Sequence, residues 1–135
     1  MKTFRFFLVV ILIIIIASIC AAQKLPKIFW VCDTGMKSYI QSANCDGTGM
    51  FDIVSDLKAT RAIALDSVSN PKQIYFAVGD TVHTLYRVNV DGTGLTEVVS
   101  NVVGINDMEL DLLNRRIYWA SSTWGYEMLV SADMD

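Results

Sequence analysis

The sequence is poor in histidine and lacks the short motifs by which common enzymes are recognised. It contains a single histidine, and none of the GxSxG, HExxH, Walker or GxGxxG patterns that mark hydrolases, zinc peptidases and nucleotide-binding proteins. A basic stripe is missing too, because residues 23–135 carry all 14 acidic residues but only 9 of the 11 basic ones, a net charge of −5. Such a chain cannot neutralise a row of phosphates. We therefore predict no nucleic-acid partner, no cofactor and no metal ion.

A helical period is also missing from the chain after residue 22. Short runs rich in β-branched and aromatic residues stand there instead, separated by Gly, Asp, Asn and Pro. Asp-Gly between two such runs is a strong hairpin signal, because both residues tolerate positive φ. We therefore predict an all-β fold. The predicted strands are 27–32, 39–44, 62–66, 73–78, 84–89, 95–100, 116–120 and 127–132.

The amino terminus has the pattern of a secretory signal peptide. An unbroken apolar run, Phe6 to Ile16, follows a short positive region, and Cys20 and Ala22 are the small residues at the −3 and −1 positions of a cut before Gln23. We predict a signal peptide over residues 1–22 and a secreted mature domain over 23–135. The alternative is an uncleaved membrane anchor, because residues 6–22 reach the lower limit of length for a span.

Three markers recur in residues 28–135, in the same order and with a period close to 45. Ile-Phe-Trp at 28–30 returns as Ile-Tyr-Phe at 74–76 and as Ile-Tyr-Trp at 117–119. The hexapeptide Asn-Cys-Asp-Gly-Thr-Gly at 44–49 returns at 89–94, and Ile-Ala-Leu-Asp at 63–66 is echoed by Met-Glu-Leu-Asp at 108–111. A period of this length is typical of solenoids, propellers and other repeat arrays.

Each repeat holds about four short strands, which fits one blade of a β-propeller. Propellers close with four to eight blades, whereas this chain holds about two and a half. It begins at the second strand of a blade and ends at Asp135, which corresponds to Asp46 and Asp91 of the earlier turns. We therefore expect the propeller to be truncated at its carboxyl end. The remaining blades would come from a longer chain or from other copies of this one.

The chain resembles the YWTD family, the class B repeats of low-density lipoprotein receptors and related extracellular six-bladed propellers. The best match is the segment 110–119, Leu-Asp-Leu-Leu-Asn-Arg-Arg-Ile-Tyr-Trp, which is similar to the LDxxxRxIYW stretch of the family. The two Asp-Gly turns and the inner strand at 64–66 match as well. The resemblance implies a receptor-like module of a six-bladed propeller, and it covers essentially the whole mature chain.

Departures from the family pattern are equally plain. The closing Thr-Asp of the namesake tetrapeptide is absent from all three copies, and Pro-x-Gly does not precede the inner strands. The polar ties that this Asp makes between blades therefore cannot be assumed here. The residues that carry the repeat, and to which we assign structural roles, are Phe29, Trp30, Asp46, Gly47, Asp66, Tyr75, Phe76, Asp91, Gly92, Asp111, Tyr118 and Trp119.

The Asn-x-Asp-Gly turns superficially resemble the start of a calcium loop. An EF-hand loop needs an acid at its first position and Glu at its twelfth, but Ser42 and Ile53 stand there in the first copy, and Arg87 and Val98 in the second. We interpret both turns as structural β-turns.

Cys32 and Cys45 are the only cysteines after residue 22. In a hairpin that turns near Gly35, Cys32 lies at the turn end and Cys45 at the far end. The separation is about 20 Å at 3.3 Å per residue, whereas a disulfide needs Cα atoms within about 7 Å. We predict no bridge between them. They are either buried thiols or partners of cysteines in the missing blades.

The remaining candidates are one histidine and a group of aromatic residues. His83, without a second ligand at metal-binding spacing, is interpreted as a polar loop residue. The repeated aromatics fit packing between blades, because period-2 placement puts neighbours on opposite faces of a strand. Trp124 and Tyr126 flank Gly125 in a predicted loop, where aromatics are candidate ligand contacts or a cap over a blade.

Two functional hypotheses follow. The resemblance implies an extracellular, non-catalytic module whose loops bind a protein or glycan ligand. The alternative is a fragment of a six-bladed propeller enzyme, a calcium-dependent lactonase or a hydrolase similar to strictosidine synthase, for which Asp66, Glu109 and Asp111 on the inner strands would supply carboxylates. Acids at strand ends also serve as simple hydrogen-bond acceptors. We therefore favour the binding module and predict no catalytic residue.

Overall fold

Every regular element that the computed structural model describes is a β-strand, and the description covers residues 26–123 and 126–135. The all-β prediction is confirmed. No helix within these ranges is long and apolar enough to cross a membrane, and the predicted signal peptide lies outside them. The strands are β1 (Lys27–Asp33), β2 (Ser38–Asn44), β3 (Phe51–Leu57), β4 (Thr60–Asp66), β5 (Gln73–Val78), β6 (Val82–Asn89), β7 (Thr96–Val103), β8 (Ile105–Asp111), β9 (Arg116–Thr123) and β10 (Tyr126–Asp133).

The strand set predicted from the sequence omits two of these ten elements. β3 contains Asp52, Ser55 and Asp56, and acidic residues are depleted in strands, so local propensity conceals it. β8 is marked in the sequence only by its echo of the inner strand at 108–111, although it starts at Ile105. Both strands form because each pairs with a neighbour that the sequence does predict, β3 with β2 and β8 with β9.

The strands form three antiparallel sheets that follow one another along the chain. Blade 1 has the order β1-β2-β3, blade 2 the order β4-β5-β6-β7, and blade 3 the order β8-β9-β10. β4 and β8 contact each other as the innermost strands of their blades. β1 corresponds to β5 and β9, so blade 1 begins at its second strand. The architecture is a partial propeller of about two and a half blades, as predicted.

The sequence period is reproduced by backbone hydrogen bonds. The amides of Cys45, Val90 and Met134 donate to the carbonyls of Pro26, Lys72 and Arg115 at 2.9, 3.0 and 3.1 Å. Each bond closes the open end of the hairpin made by the second and third strands of its blade. The three blades therefore share one backbone frame, even where their side chains differ.

The two Asp-Gly turns are structurally equivalent. Asp46 accepts from the amide and hydroxyl of Thr48 at 3.0 and 2.7 Å, and Asp91 accepts from those of Thr93 at 2.9 and 2.7 Å. Gly47 and Gly92 have φ of 82° and 87°, the left-handed region that glycine tolerates best. These contacts are local turn chemistry, and they hold the pKa of each aspartate below its ordinary value through the Thr hydroxyl and amide.

Two hydrophobic clusters fill the spaces between blades. One lies between blades 1 and 2 and includes Ile40, Ile74 and Phe76. The other lies between blades 2 and 3 and includes Tyr75 and Trp119. Consecutive residues of β5 thus serve different clusters, because side chains alternate across a strand. We call the surface of a blade that points to the earlier blade its preceding side, and the opposite surface its following side.

The register of β1 and β2 places the two cysteines apart. Cys32 lies opposite Tyr39 near the turn, while Asn44, the residue before Cys45, lies opposite Lys27 at the other end. Cys32 is half-buried, Cys45 is exposed, and both are free thiols. The separation predicted from the sequence is therefore confirmed, but Cys45 does not fit the interpretation as a buried thiol.

Gly104, between β7 and β8, is required both for its conformation and for the space around it. Its φ is 67°, and an added Cβ would lie 2.3 Å from the carbonyl oxygen of Ser122, which belongs to the backbone and cannot rotate away. Gly104→Ala is expected to destabilise the chain by about 2–4 kcal/mol, combining the left-handed backbone with overpacking. The free energy of unfolding in urea measures this.

Gly47→Ala is the matched control, because its φ is also left-handed but an added Cβ meets nothing within 4 Å. It should cost only about 1 kcal/mol. Equal losses for the two variants would show that the approach to Ser122 does not contribute.

Candidate binding face

One end of the sheets carries two concave surfaces. We call it the upper face; it is the end at which the inner strands β4 and β8 begin. A cleft of about 440 Å³ opens there between blades 2 and 3, within the size range of small-ligand pockets. The residues that line the cleft are Arg61, Asp80, Thr81, His83, Val103, Gly104, Ile105, Asn106 and Ser122.

A smaller hollow of about 180 Å³ lies beside this cleft, where blades 1 and 2 meet. Gly35, Met36 and Lys37 contribute from the turn between β1 and β2, and Lys58 and Ala59 from the link between β3 and β4. Asp80 lines both hollows. The two hollows therefore adjoin at Asp80, and together they are lined by residues of all three blades.

β-Bulges place two polar side chains at the cleft. Thr60 pairs with Val78 and Ala62 with Ala77, so Arg61 is an extra residue in β4. Asn106 is the extra residue at the equivalent place in β8. A bulge re-aims a side chain at the rim of a sheet, and both of these residues line the cleft.

The charged groups of the cleft are only loosely paired. Arg61 Nη2 lies 4.0 Å from Asp80 Oδ1, and both side chains are more than half exposed, so the pair contributes little to stability. Asn106 Nδ2 donates to Ser122 Oγ at 2.7 Å. The cleft therefore offers a cation, an anion, an amide and hydroxyls to a ligand.

His83 corrects the sequence interpretation. The sequence predicts a polar loop residue, but His83 lies in β6 opposite Val102 and is only 2% exposed. Neither ring nitrogen makes a hydrogen bond with a described residue. The backbone explains the difference: Gly79, with φ of 139°, lets the chain turn so closely that β6 starts at Val82. His83 thus forms a buried wall of the cleft.

Burial is the largest influence on the pKa of His83. Removal from water lowers the pKa of this imidazole below its ordinary value, and the charge of Arg61 acts in the same direction, while the Val102 carbonyl and Asp80 oppose them. Among the described residues, no group of three or more His, Cys, Asp or Glu side chains could hold a metal ion.

The opposite end, which we call the lower face, holds Asp66. This carboxylate is fully buried and accepts from the amides of Val68 and Ser69 at 2.9 and 3.0 Å and from the Ser69 hydroxyl at 2.7 Å. Arg115 of blade 3 donates to it at 2.6 Å. Burial alone would raise the pKa of Asp66, but the hydrogen bonds from Ser69 and Arg115 outweigh it and lower the pKa to about 2.

Asp111 caps the equivalent turn of blade 3. It accepts from the amides of Leu113 and Asn114 at 3.1 and 2.9 Å and from Asn114 Nδ2 at 2.7 Å. The carboxylates of Asp66 and Asp111, which the enzyme hypothesis requires, therefore accept hydrogen bonds within turns. Glu109 is exposed on β8 and belongs to neither arrangement.

The carboxyl-terminal residues are tied to blade 2 at the lower face. Tyr75 Oη and Arg87 Nη1 both donate to the carbonyl of Met134 at 3.1 Å. Asp135 accepts from Arg115 at 3.1 Å and from Arg87 at 3.3 Å. The sequence could not reveal these contacts, because their partners lie 20 to 59 residues apart.

The candidate loop aromatics lie at the rim of the upper face. Tyr126 is 76% exposed and pairs with Thr123 at the start of β10, next to Ser122 of the cleft. Trp124 lies outside the described residues. The other repeated aromatics are in β1, β5 and β9, where they pack between blades or face the open sides of blades 1 and 3.

Comparison with known proteins supports the fold. No protein-family model matches the chain, and no curated protein matches it. Among solved structures, 70% of this chain aligns with 36% of a chain from the crystal structure of a nidogen/laminin complex, with a TM-score of 0.61 and 22% sequence identity. The chain thus spans about a third of that β-propeller neighbour, and at this identity the likeness shows the fold alone.

Asp66 should make stability depend on acid pH. Because its pKa is about 2 in the fold against an ordinary 3.8, its contribution is complete above pH 4 and is lost as the pH falls through about 2. The shift corresponds to about 2 kcal/mol. Asp66→Asn should remove this dependence and leave Arg115 without its buried partner, which we expect to cost about 2–4 kcal/mol at pH 7.

Asp111→Asn is the matched control, since Asp111 caps the same turn but makes no ion pair with a described residue. It should cost clearly less than Asp66→Asn, because only hydrogen bonds within an exposed turn are weakened. Urea unfolding at pH 7 and pH 3 measures both variants, and equal losses would assign the effect to the turn rather than to Arg115.

His83 should make stability fall in mild acid. Its pKa in the fold is below the ordinary 6.5. As the pH falls below 6.5, the unfolded chain therefore binds a proton more readily than the folded chain, and the free energy of unfolding decreases. His83→Gln should flatten this part of the melting-temperature profile between pH 7 and 5. An unchanged slope would contradict the burial of a neutral imidazole.

Proposed function

We propose that this chain forms part of an extracellular, non-catalytic β-propeller that binds a protein ligand through its upper face. The observation that carries the proposal is the position of the two hollows, which lie side by side at that face and share Asp80. Concave surfaces with exposed apolar residues at their rims are typical of recognition sites.

Exposed apolar side chains border both hollows. Met36 is 91% exposed and lines the smaller hollow, and Val103 is 37% exposed and lines the cleft. Tyr126, at the start of β10 on the same face, is 76% exposed. Aromatic and apolar anchors surrounded by polar groups are the usual centre of a protein interface. Arg61, Asp80 and Asn106 would supply such polar groups here.

Binding is favoured over hydrolysis by the use of the carboxylates. Asp66 is enclosed by four donors and Asp111 by three, so neither is arranged as a free acid or base beside an open cleft. The structural neighbour is a chain from a protein–protein complex, which supports the same class of function. Secretion, through removal of residues 1–22, belongs to the same proposal.

Laminin is the first ligand to test, because it is present in the complex of the structural neighbour. With the secreted chain immobilised, surface plasmon resonance should detect binding, and Tyr126→Ala should weaken it by about tenfold or more, as expected for an aromatic anchor. Leu113→Ala, a change of a 90% exposed side chain at the lower face, is the matched control and should leave the affinity unchanged.

Two results would overturn the proposal. One is an equal loss for the upper-face and lower-face variants. The other is calcium-dependent hydrolysis of lactones by the purified chain, which would favour the propeller-enzyme alternative. Binding to a glycan array, with no protein ligand, would instead assign the face to carbohydrate recognition.

A further inference from the structure

The junction between blades 2 and 3 has two halves. The following side of blade 2 presents Tyr75, Ala77 and Leu85, all completely buried. The preceding side of blade 3 presents Ile117 and Trp119, which are 0% and 4% exposed. All five residues belong to one hydrophobic cluster, so this set of residue types forms a stable contact between blades.

The first half recurs on the following side of blade 3. In blade 2, Tyr75 and Ala77 lie two residues apart in β5, and Leu85 of β6 lies opposite Ala77. In blade 3, Tyr118 and Ala120 lie two residues apart in β9, and Leu129 of β10 lies opposite Ala120. The three residue types are identical and occupy equivalent register positions, but here Leu129 is 77% exposed and Ala120 is exposed as well.

The second half recurs on the preceding side of blade 1. Ile28 and Trp30 occupy the positions of Ile117 and Trp119 in the repeat, and the residue types are again identical. Ile28 is 50% exposed and Trp30 is half-buried, because none of the described residues covers this side. The chain therefore carries both halves of its own internal junction, at opposite ends.

We propose that a second copy of this chain docks head-to-tail, with Tyr118, Ala120 and Leu129 of one copy packed on Ile28 and Trp30 of the other. The two halves of one molecule cannot meet, because blade 2 separates them. The new contact would repeat an interface that the chain already forms, residue type for residue type. This inference is independent of the ligand-binding proposal.

Two copies would supply six sheets, which lies within the range in which propellers close. Closure by two equivalent junctions would cover both exposed faces. A head-to-tail contact that closes gives a ring, whereas one that does not close gives a filament.

The docked junction would differ from the internal junction at the innermost strand of the blade. Blade 2 has Ala62 and Ala64 on the following side of β4, whereas β8 has Asp107 and Glu109 at the equivalent positions. No described strand pairs with the inner edge of β1. In the docked pair, the two carboxylates would face the open centre of the ring rather than a sheet, and they would stay hydrated.

Sedimentation equilibrium of the full chain, expressed by secretion, tests the proposal. The wild type should be a dimer, while Leu129→Asp and Ile28→Asp should each weaken association by about 100-fold or more. Both positions are exposed in one copy, so circular dichroism should show that each variant still folds. Leu113→Asp, at a 90% exposed lower-face position, is the control and should dimerise like the wild type.

Mixing the two variants distinguishes a head-to-tail contact from a symmetric one. The Leu129→Asp copy keeps its Ile28 side and the Ile28→Asp copy keeps its Leu129 side, so an equimolar mixture should form a pair through one intact junction, while neither variant associates alone. A monomeric wild type would overturn the proposal. A mixture that stays monomeric, or a control that dissociates, would overturn it equally.

Discussion

The structure depends on side-chain alternation in the second strand of each blade. In β5, Ile74 and Phe76 enter the cluster with blade 1, whereas Tyr75 and Ala77 enter the cluster with blade 3. A slip of one residue would exchange the two faces and bury the wrong set. The register of this strand therefore fixes how each blade meets both of its neighbours. It also explains why the terminal blades are left with apolar sides that match each other.

Polar contacts at the lower face complement this packing. The tetrapeptide of the YWTD family closes with Thr-Asp, and this Asp is absent from all three copies in this chain. Arg115 instead reaches from blade 3 to the buried Asp66 of blade 2, with its own backbone at φ 56°. Tyr75 adds a bond to the Met134 carbonyl from the centre of the hydrophobic cluster. The blades are thus tied by side chains other than those that the resemblance implies.

The upper face is shaped by backbone irregularities rather than by a catalytic motif. Bulges direct Arg61 and Asn106 to the cleft, and Gly79 and Gly104 permit close approaches that no larger residue would allow. His83 is buried by this arrangement. A scaffold of regular blades therefore carries its variable chemistry at strand ends, where binding surfaces are usually found.

Eight of the ten described strands, the repeat and the two and a half blades of this chain are predictable from the sequence. Period-2 aromatics, the turns at Asp46 and Asp91 and the separation of Cys32 from Cys45 are local or periodic properties, so they can be read along the chain. Tertiary structure alone decided the burial of His83, the inclusion of polar β3 in a sheet, and the cleft itself. It also decided the bond between Asp66 and Arg115, which lie 49 residues apart. These features depend on which strands come together in space, and interactions between blades leave no local signature in the sequence.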